Sequence, residues 1–152
     1  MCGISGLIGW QGSTNDGLTT INKMCETLNH RGPDSHGEWW SENNRVGFAH
    51  RRLAIIDLSL KGHQPMVDES NKVVLTYNGE IYNYKKIRDE LKMLGHNFRS
   101  NSDTEVVLNA YKEWGTSCFK KFNGIFAMAI YDINRKMIYL ARDIAGEKPL
   151  FY

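Results

Sequence analysis

The sequence predicts a layered α+β domain. Its 152 residues are 41% hydrophobic, which is enough for a single domain with its own core. Strand-like and helical segments occur in mixed order along the chain. The segment from Ile125 to Tyr131 is nearly all apolar, so we expect that strand to be covered on both faces. Strands covered on both sides by other elements imply stacked layers of sheet and helix.

Short apolar runs predict strands in the first half of the chain. The first runs from Ile4 to Trp10, with Cys2 at its start, and the others run from Val46 to Ile56 and from Val73 to Tyr77. Apolar residues at helical spacing predict an amphipathic helix after the first strand, which ends at the glycine and proline of His30–Pro33. The apolar positions of this helix are Leu18, Ile21, Met24, Cys25 and Leu28.

Two further helices are bounded by clear start and stop signals. One begins at Asn83 and ends at Gly95. The other begins at Ser102, where Glu105 completes a capping-box pattern, and ends at Gly115. The first carries Ile87, Leu91 and Leu94 on one face, and the second presents Val106, Ala110 and Trp114.

The last segments predict a β-hairpin, in which residues 125–131 and 137–141 are joined by residues 132–135. The chain then finishes on a hydrophobic triplet, residues 150–152, with no polar tail. A domain rarely stops within a strand, so we expect residues 1–152 to be one domain that is truncated at its C-terminal end.

Composition excludes several classes of function. The net charge is +2 and there is no long run of lysine or arginine, so nucleic acid is not expected as a partner. No apolar stretch approaches the ~20 residues that a membrane span needs. The cysteines Cys2, Cys25 and Cys118 are widely separated, which argues against disulfides and favours a reducing, cytoplasmic setting. The five histidines lack metal-ligand spacing, so no metal is predicted.

Cys2 is the first candidate for chemistry. Removal of Met1 would place a thiol and a free α-amine on the same residue. The α-amine has an ordinary pKa of about 7.7–8.0 and could act as the base that a cysteine nucleophile needs. The alternative is that Cys2 is a small buried hydrophobic residue.

Arginine and aspartate side chains could bind a charged substrate. Arg51 and Arg52 lie beside an apolar run, and a guanidinium group can bind a carboxylate through two parallel hydrogen bonds. The alternative is an ion pair or a solvated strand end. Asp103 lies in the first turn of its helix, where the helix dipole favours a carboxylate, and it could equally face a cleft and bind an ammonium group.

The segment from Tyr77 to Asn83 contains an Asn-Gly pair after an apolar strand. This pair is common in turns. Its alternative use is an oxyanion hole, formed by the Asn78 amide and the Gly79 N–H. Together with a thiol, an arginine and an aspartate, such a site would suit hydrolysis of the side-chain amide of a free amino acid. Glutamine is the obvious substrate of that kind.

The chain resembles the N-terminal glutaminase domain of glutamine-hydrolysing asparagine synthetases, which are class II glutamine amidotransferases. The resemblance extends from end to end and implies the N-terminal-nucleophile hydrolase fold, a four-layer αββα sandwich with two stacked antiparallel sheets. The motifs that carry it are, in order, MCGI, HRGPD, RLAIID, QPM, YNGEIYNY, SDTEV, GIFAMAIYD and ARDIAGEKPLFY.

The resemblance also implies roles for particular residues. Cys2 is expected to be the nucleophile, and the Asn78 side chain and the Gly79 N–H are expected to stabilise the oxyanion. The expected substrate-binding residues are Arg52 for the α-carboxylate, Ile55 through its backbone, Asn78, Glu80, and Asp103 for the α-ammonium group.

The expected substrate is L-glutamine, and the ammonia would pass to a synthetase domain that is absent from this chain. The resemblance implies no cofactor in this domain, with ATP and Mg²⁺ used only by the synthetase domain, and pairing of copies into a homodimer. The ammonia acceptor could be aspartate or another carboxylate. Two alternatives remain: an N-terminal-nucleophile hydrolase that acts on another amide, or a catalytically silent fragment or regulatory module.

Overall fold

The computed structural model describes residues 2–43 and 45–152. Met1, on whose removal the predicted free α-amine depends, lies outside the described residues. The strands are β1 (Gly3–Ile8), β2 (Ser35–Trp40), β3 (Val46–Arg52), β4 (Met66–Val67), β5 (Val73–Ile81), β6 (Gly124–Asp132) and β7 (Met137–Arg142). The helices are α1 (Thr14–Thr27), α2 (Tyr84–Met93) and α3 (Asp103–Trp114), with short 3₁₀ helices at Leu60–Gly62 and Gly115–Lys121.

The strands form antiparallel sheets that stack face to face. The first sheet has the order β1-β3-β2 and the second has the order β4-β5-β6-β7. Successive side chains on a strand point to opposite faces. On β3, Ala49 therefore packs with Ile21 and Cys25 of α1, whereas Phe48 packs against Val74 of the second sheet.

The second sheet is buried on both faces. Leu75 of β5 and Met128 of β6 lie in the core shared with α2 and α3, while Ala129 lies in the core between the sheets. The layers are thus α1, first sheet, second sheet, and α2 with α3. This arrangement confirms the predicted α+β, four-layer αββα fold, and it confirms that β6 is covered on both sides.

The start of α3 matches one half of the predicted capping box. The Ser102 hydroxyl accepts a hydrogen bond from the Glu105 N–H at 3.2 Å. The Glu105 carboxylate does not return to Ser102; it accepts hydrogen bonds from the N–H groups of Arg99 (2.9 Å) and Ser100 (2.7 Å). Glu105 therefore folds the preceding loop back over the first turn of α3.

Several predicted boundaries are wrong, for local reasons. β3 ends at Arg52 rather than Ile56, because the Leu53 N–H donates to the Cys2 sulfur instead of continuing the ladder. β5 continues through Asn78 and Gly79, so the interpretation of this pair as a turn is wrong. The short strands β2 and β4 were not predicted, since they lack a clear apolar alternation.

Candidate active site

The residues predicted to form a site lie around one cavity of about 260 Å³. The cavity lies between the end of β3, the middle of β5 and the first turn of α3. Its lining includes every predicted site residue: Cys2, Arg52, Ile55, Asn78, Gly79, Glu80 and Asp103. The structure thus brings together residues that lie between positions 2 and 103 of the sequence.

Cys2 lies immediately before β1 and is half-buried. Its Sγ accepts a hydrogen bond from the Leu53 N–H at 3.3 Å, and its main-chain carbonyl accepts one from Arg31 Nε at 3.1 Å. These contacts fix both the thiol and the main chain of Cys2 at the cavity wall. Arg31, from the turn after α1, therefore positions the first residue of the site.

The direction of the β5 backbone groups follows from the strand pairing. The Tyr82 N–H donates to the Asn123 carbonyl at 2.7 Å, and the Ile133 N–H donates to the Lys72 carbonyl at 2.9 Å. In an antiparallel pair the hydrogen-bonded positions alternate along the strand. Even-numbered residues of β5 thus bond to β6, and the N–H groups of odd-numbered residues point to the opposite edge.

The Gly79 N–H points to this opposite edge, towards the cavity. Its odd-numbered neighbours have side-chain partners there: the Tyr77 N–H donates to Gln64 Oε1 at 2.7 Å, and the Ile81 N–H donates to Asp103 Oδ2 at 3.1 Å. The Gly79 N–H has no corresponding partner within residues 2–43 and 45–152. It is available to a ligand.

Asn78 directs its side chain towards the sheet that carries Cys2, because even-numbered residues of β5 face that sheet. The residue is only 6% exposed, and in the described part of the chain its side-chain amide makes no hydrogen bond. Glu80, also even-numbered, is exposed at the cavity margin. The Asn78 amide and the Gly79 N–H are therefore adjacent donors without a hydrogen-bond partner among the described residues.

Arg52 contributes a guanidinium group from the last residue of β3. Nη1 donates to the Ser59 carbonyl at 2.8 Å, and Nη2 donates to the Asp57 carbonyl. A guanidinium has five N–H donors, so further donors remain for a ligand. Gly62 packs against this group, because a Cβ at position 62 would lie 2.3 Å from Nη2. Ile55, in the same loop, is exposed at the cavity edge.

Asp103 is the first residue of α3 and is 5% exposed. Its Oδ2 accepts hydrogen bonds from the Tyr77 hydroxyl at 2.7 Å and from the Ile81 N–H at 3.1 Å. Burial raises the pKa of the Asp103 carboxyl, and the hydrogen bonds from Tyr77 and Ile81 oppose that rise. Burial, together with the charge of Asp103, raises the pKa of Tyr77 well above its usual value, so Tyr77 stays a hydrogen-bond donor.

Some cavity residues were not predicted as site residues. Gln64 and Tyr77 support the cavity through contacts with α3, and Lys148 lines it from the C-terminal segment. Tyr77 and Gln64 lie within the motifs YNGEIYNY and QPM, and this was the available signal. Lys148 likewise lies within the motif ARDIAGEKPLFY, although its residue type alone does not set it apart from a solvated lysine.

No group of three or more His, Cys, Asp or Glu side chains that could hold a metal ion occurs among the residues that the structure describes. None of the described helices has the length and apolar character needed to cross a membrane.

The class of the fold is shown by a solved structure. Glutamine phosphoribosylpyrophosphate amidotransferase from Bacillus subtilis superposes with a TM-score of 0.68, over 92% of this chain and 37% of that one. The two sequences are 16% identical, so this likeness concerns the fold alone. It agrees with the N-terminal-nucleophile hydrolase fold implied by the resemblance.

The family is shown by the sequence as a whole. Residues 1–152 match the model of the glutamine amidotransferase domain, and the chain belongs to this family. It is 41% identical to asparagine synthetase [glutamine-hydrolyzing] 3 of Bacillus subtilis, covering 100% of this chain and 25% of the relative. It is 39% identical to a putative asparagine synthetase [glutamine-hydrolyzing] 2 of Methanocaldococcus jannaschii, covering 100% of this chain and 32% of the relative. The chain thus spans a quarter to a third of these relatives.

Proposed function

We propose that this domain hydrolyses L-glutamine to L-glutamate and ammonia through a thioester on Cys2. One observation carries the proposal: a single cavity holds a thiol, unpaired N–H donors, and both an arginine and a buried aspartate. The thiol can attack an acyl carbon, and the donors can stabilise the oxyanion that results. Arg52 and Asp103 complement the carboxylate and the ammonium group of a free amino acid.

In the first half of the reaction, Cys2 Sγ attacks the δ-carbon of glutamine and the carbonyl π electrons move to the oxygen. Once Met1 has been removed, the free α-amine of Cys2 takes the thiol proton. The oxyanion is stabilised by the Asn78 side chain and the Gly79 N–H. The carbon–nitrogen bond then breaks, and the nitrogen leaves as ammonia after it takes up the proton from the α-amine.

In the second half, water attacks the γ-glutamyl thioester and gives a proton to the same α-amine. The same two donors stabilise the second oxyanion. The carbon–sulfur bond breaks, glutamate is released, and the proton returns to the Cys2 sulfur. No group outside the cavity is required for either half.

The charged groups define which amides are accepted. The free N–H donors of Arg52 would bind the α-carboxylate, with the Ile55 backbone beside it. Asp103 would bind the α-ammonium group, and Glu80 would contact the substrate from the cavity margin. An acylated amine without a free α-amino acid end would leave the buried Asp103 carboxylate without its partner, which is costly. This favours glutamine over the substrates of other amidohydrolases.

The ammonia would pass to an ATP-dependent synthetase domain. Support comes from the relatives, which are named glutamine-hydrolysing asparagine synthetases and are longer than this chain. We propose that residues 1–152 supply the glutaminase half, that ATP and Mg²⁺ act only in the synthetase half, and that aspartate is the acceptor. The free thiols of Cys2, Cys25 and Cys118 support a reducing, cytoplasmic setting.

Replacement of the nucleophile tests the glutaminase proposal. We expect Cys2→Ala to abolish glutamate release from glutamine, measured with a coupled glutamate dehydrogenase assay. Cys118→Ala is the matched control, because Cys118 is fully buried in the core and does not line the cavity. Substantial turnover in Cys2→Ala, or an equal loss in folded Cys118→Ala, would contradict the proposal.

A further inference from the structure

The first turn of α3 is bound directly to β5. The Tyr77 hydroxyl and the Ile81 N–H both donate to Asp103 Oδ2, at 2.7 Å and 3.1 Å. Gln64 adds a second connection, because its Oε1 accepts from the Tyr77 N–H at 2.7 Å and its Nε2 donates to Thr104 Oγ1 at 3.2 Å. The helix that carries Asp103 is thus attached to one short stretch of β5.

This stretch of β5 is also the one that presents the oxyanion donors. Tyr77 immediately precedes Asn78, and Ile81 follows Gly79 by two residues. The carboxylate that would bind the α-ammonium group and the donors that would bind the amide oxygen are therefore held on a common support. The distance between the Asp103 carboxylate and the oxyanion donors determines the length of the substrate. An amino acid fits when its ammonium group and its side-chain amide oxygen can bind at the same time.

The Tyr77 hydroxyl is the only side-chain donor to the Asp103 carboxylate among the hydrogen bonds of the described residues. A carboxylate has about four lone-pair sites, and β5 uses two of those of Asp103. The carboxylate retains the capacity to accept hydrogen bonds from a ligand. Tyr77 is only 2% exposed, and its hydroxyl is bound to Asp103. The hydroxyl therefore holds Asp103 and does not contact substrate.

We propose that Tyr77 is a positioning residue, which holds the Asp103 carboxylate at the distance from the oxyanion donors that suits glutamine. This inference rests on the proposed glutaminase function. Without the hydroxyl, the Asp103 carboxylate keeps the Ile81 N–H of β5 and the N–H groups of Asp103 and Thr104, but it loses the one side chain that fixes its position relative to the substrate ammonium group. Binding of glutamine then weakens, while the nucleophile and the oxyanion donors stay in place.

The Tyr77 hydroxyl also affects when Asp103 is ionised. A hydrogen bond to the charged form of a carboxyl lowers its pKa. Loss of the hydroxyl therefore raises the pKa of Asp103, and less of it is ionised at a given acidic pH. The other titratable or charged side chains that share the cavity lining with Asp103 are Cys2, Arg52, Asp57, Tyr77, Glu80 and Lys148.

The kinetic test compares Tyr77→Phe with Tyr111→Phe. Tyr111 is a matched control, since its buried hydroxyl donates to Asp132 Oδ2 at 2.9 Å and lies outside the cavity lining. For Tyr77→Phe we expect KM for glutamine to rise about tenfold, with kcat changed by less than about threefold. The acidic limb of kcat/KM should move to higher pH. Tyr111→Phe should keep the wild-type KM and pH profile.

A second readout does not need activity. We expect a ¹³C NMR titration of the Asp103 carboxyl to show a higher pKa in Tyr77→Phe than in the wild type, with no change in Tyr111→Phe. An unchanged Asp103 pKa in folded Tyr77→Phe would overturn the inference, and so would an unchanged KM in an active wild-type background. If the wild type hydrolyses no glutamine, the proposed function fails and the inference about Tyr77 fails with it, whereas an active wild type with an unchanged Asp103 pKa in Tyr77→Phe overturns the inference alone.

Discussion

Asn78 and Gly79 are adjacent, yet the structure holds them for different reasons. Gly79 is required by packing, since a Cβ there would lie 2.3 Å from the Ile125 carbonyl oxygen on β6. Asn78 has no such structural requirement. Its amide makes no hydrogen bond within the described residues and lines the cavity, so it is available to a ligand.

Removal of the Asn78 amide should therefore affect the reaction more than the fold. We expect Asn78→Ala to lower kcat by about 10²–10³, as for other oxyanion donors, with KM nearly unchanged. Asn109→Ala is the control, because Asn109 is also buried but donates to the Asn97 carbonyl at 3.4 Å, outside the cavity lining. Steady-state kinetics of the two variants test this prediction. A kcat in Asn78→Ala within a few-fold of wild type would count against Asn78 as an oxyanion donor.

Local chemistry marked some cavity residues as candidates and not others, and the family resemblance selected Arg52 over Arg51. Cys2, Asp103 and the Arg51–Arg52 pair could be marked because thiol, carboxylate and guanidinium groups are reactive or charged. Tyr77 and Gln64 could not, because their roles arise from contacts with residues of α3, which lie 26 and 40 positions further along the chain. Such contacts exist only after folding.

At the scale of elements, the loop after β3 is held in place by Asp57. One carboxylate oxygen accepts hydrogen bonds from the Ser59 N–H (2.8 Å) and hydroxyl (2.6 Å), and the other accepts one from the Asn101 N–H (2.8 Å). The Ser59 hydroxyl is the main cause of the lowered pKa of Asp57, aided by the N–H of Asn101. Asp57 therefore joins this loop to the segment before α3.

Asp57→Asn should loosen that connection in a pH-dependent way. A carboxyl with a lowered pKa in the folded state stabilises the fold above the unfolded pKa, and the contribution is lost as pH falls through the folded pKa. We expect Asp57→Asn to reduce the free energy of unfolding by about 1–3 kcal/mol at pH 7. The difference from wild type should narrow on acidification through about pH 4 and below. Calorimetry at several pH values tests this, and a difference that does not change with pH would refute it.

Helices and strands were predicted best where the local propensity of the residues and their packing in the fold favour the same secondary structure. The helices α1, α2 and α3 were predicted from apolar spacing and terminal signals, and Ser102 caps α3 as expected. The strand was predicted to end at Tyr77, and a turn at Asn78–Gly79 was left open as an alternative, because local preference favours a turn there. Pairing with β6 keeps these two residues in the strand instead, and Gly79 allows the close approach of the two backbones.

At the scale of the whole molecule, the site exists because the two sheets stack. Cys2 and Arg52 belong to the sheet of β1 and β3, whereas Asn78 and Gly79 belong to β5 of the other sheet. Phe48 is 1% exposed and packs between the sheets with Val74. Sheet stacking therefore places Cys2, the proposed nucleophile, opposite Asn78 and Gly79, the proposed oxyanion donors.

Phe48→Ala should weaken the whole fold. A buried phenylalanine replaced by alanine typically costs about 3–5 kcal/mol, because a cavity is left in the core. We expect a loss of this size in the free energy of unfolding measured with urea. Ile8→Ala is the control, because Ile8 lies on β1 of the same sheet but is 58% exposed, so its replacement should cost much less. Equal losses in the two variants would contradict this account of the sheet interface.

Composition and periodicity predicted layers of sheet and helix, but they could not show which strands are neighbours. The order β1-β3-β2 depends on long-range pairing, and β2 has too little alternation to be found locally. The stacked αββα arrangement came from the resemblance of eight ordered motifs to a known family. Local sequence patterns indicate which residue types are present, but they do not show which strands become neighbours in the fold.

The most direct test of the central claim is the intact mass of the purified domain before and after exposure to a diazo-ketone analogue of glutamine. We expect a chain that lacks Met1 to gain a single covalent adduct, mapped to Cys2 and blocked by excess glutamine. A chain that lacks Met1 and gains no adduct, or one that is labelled at Cys25 or Cys118 instead, would contradict the claim that Cys2 is the nucleophile of a glutamine site.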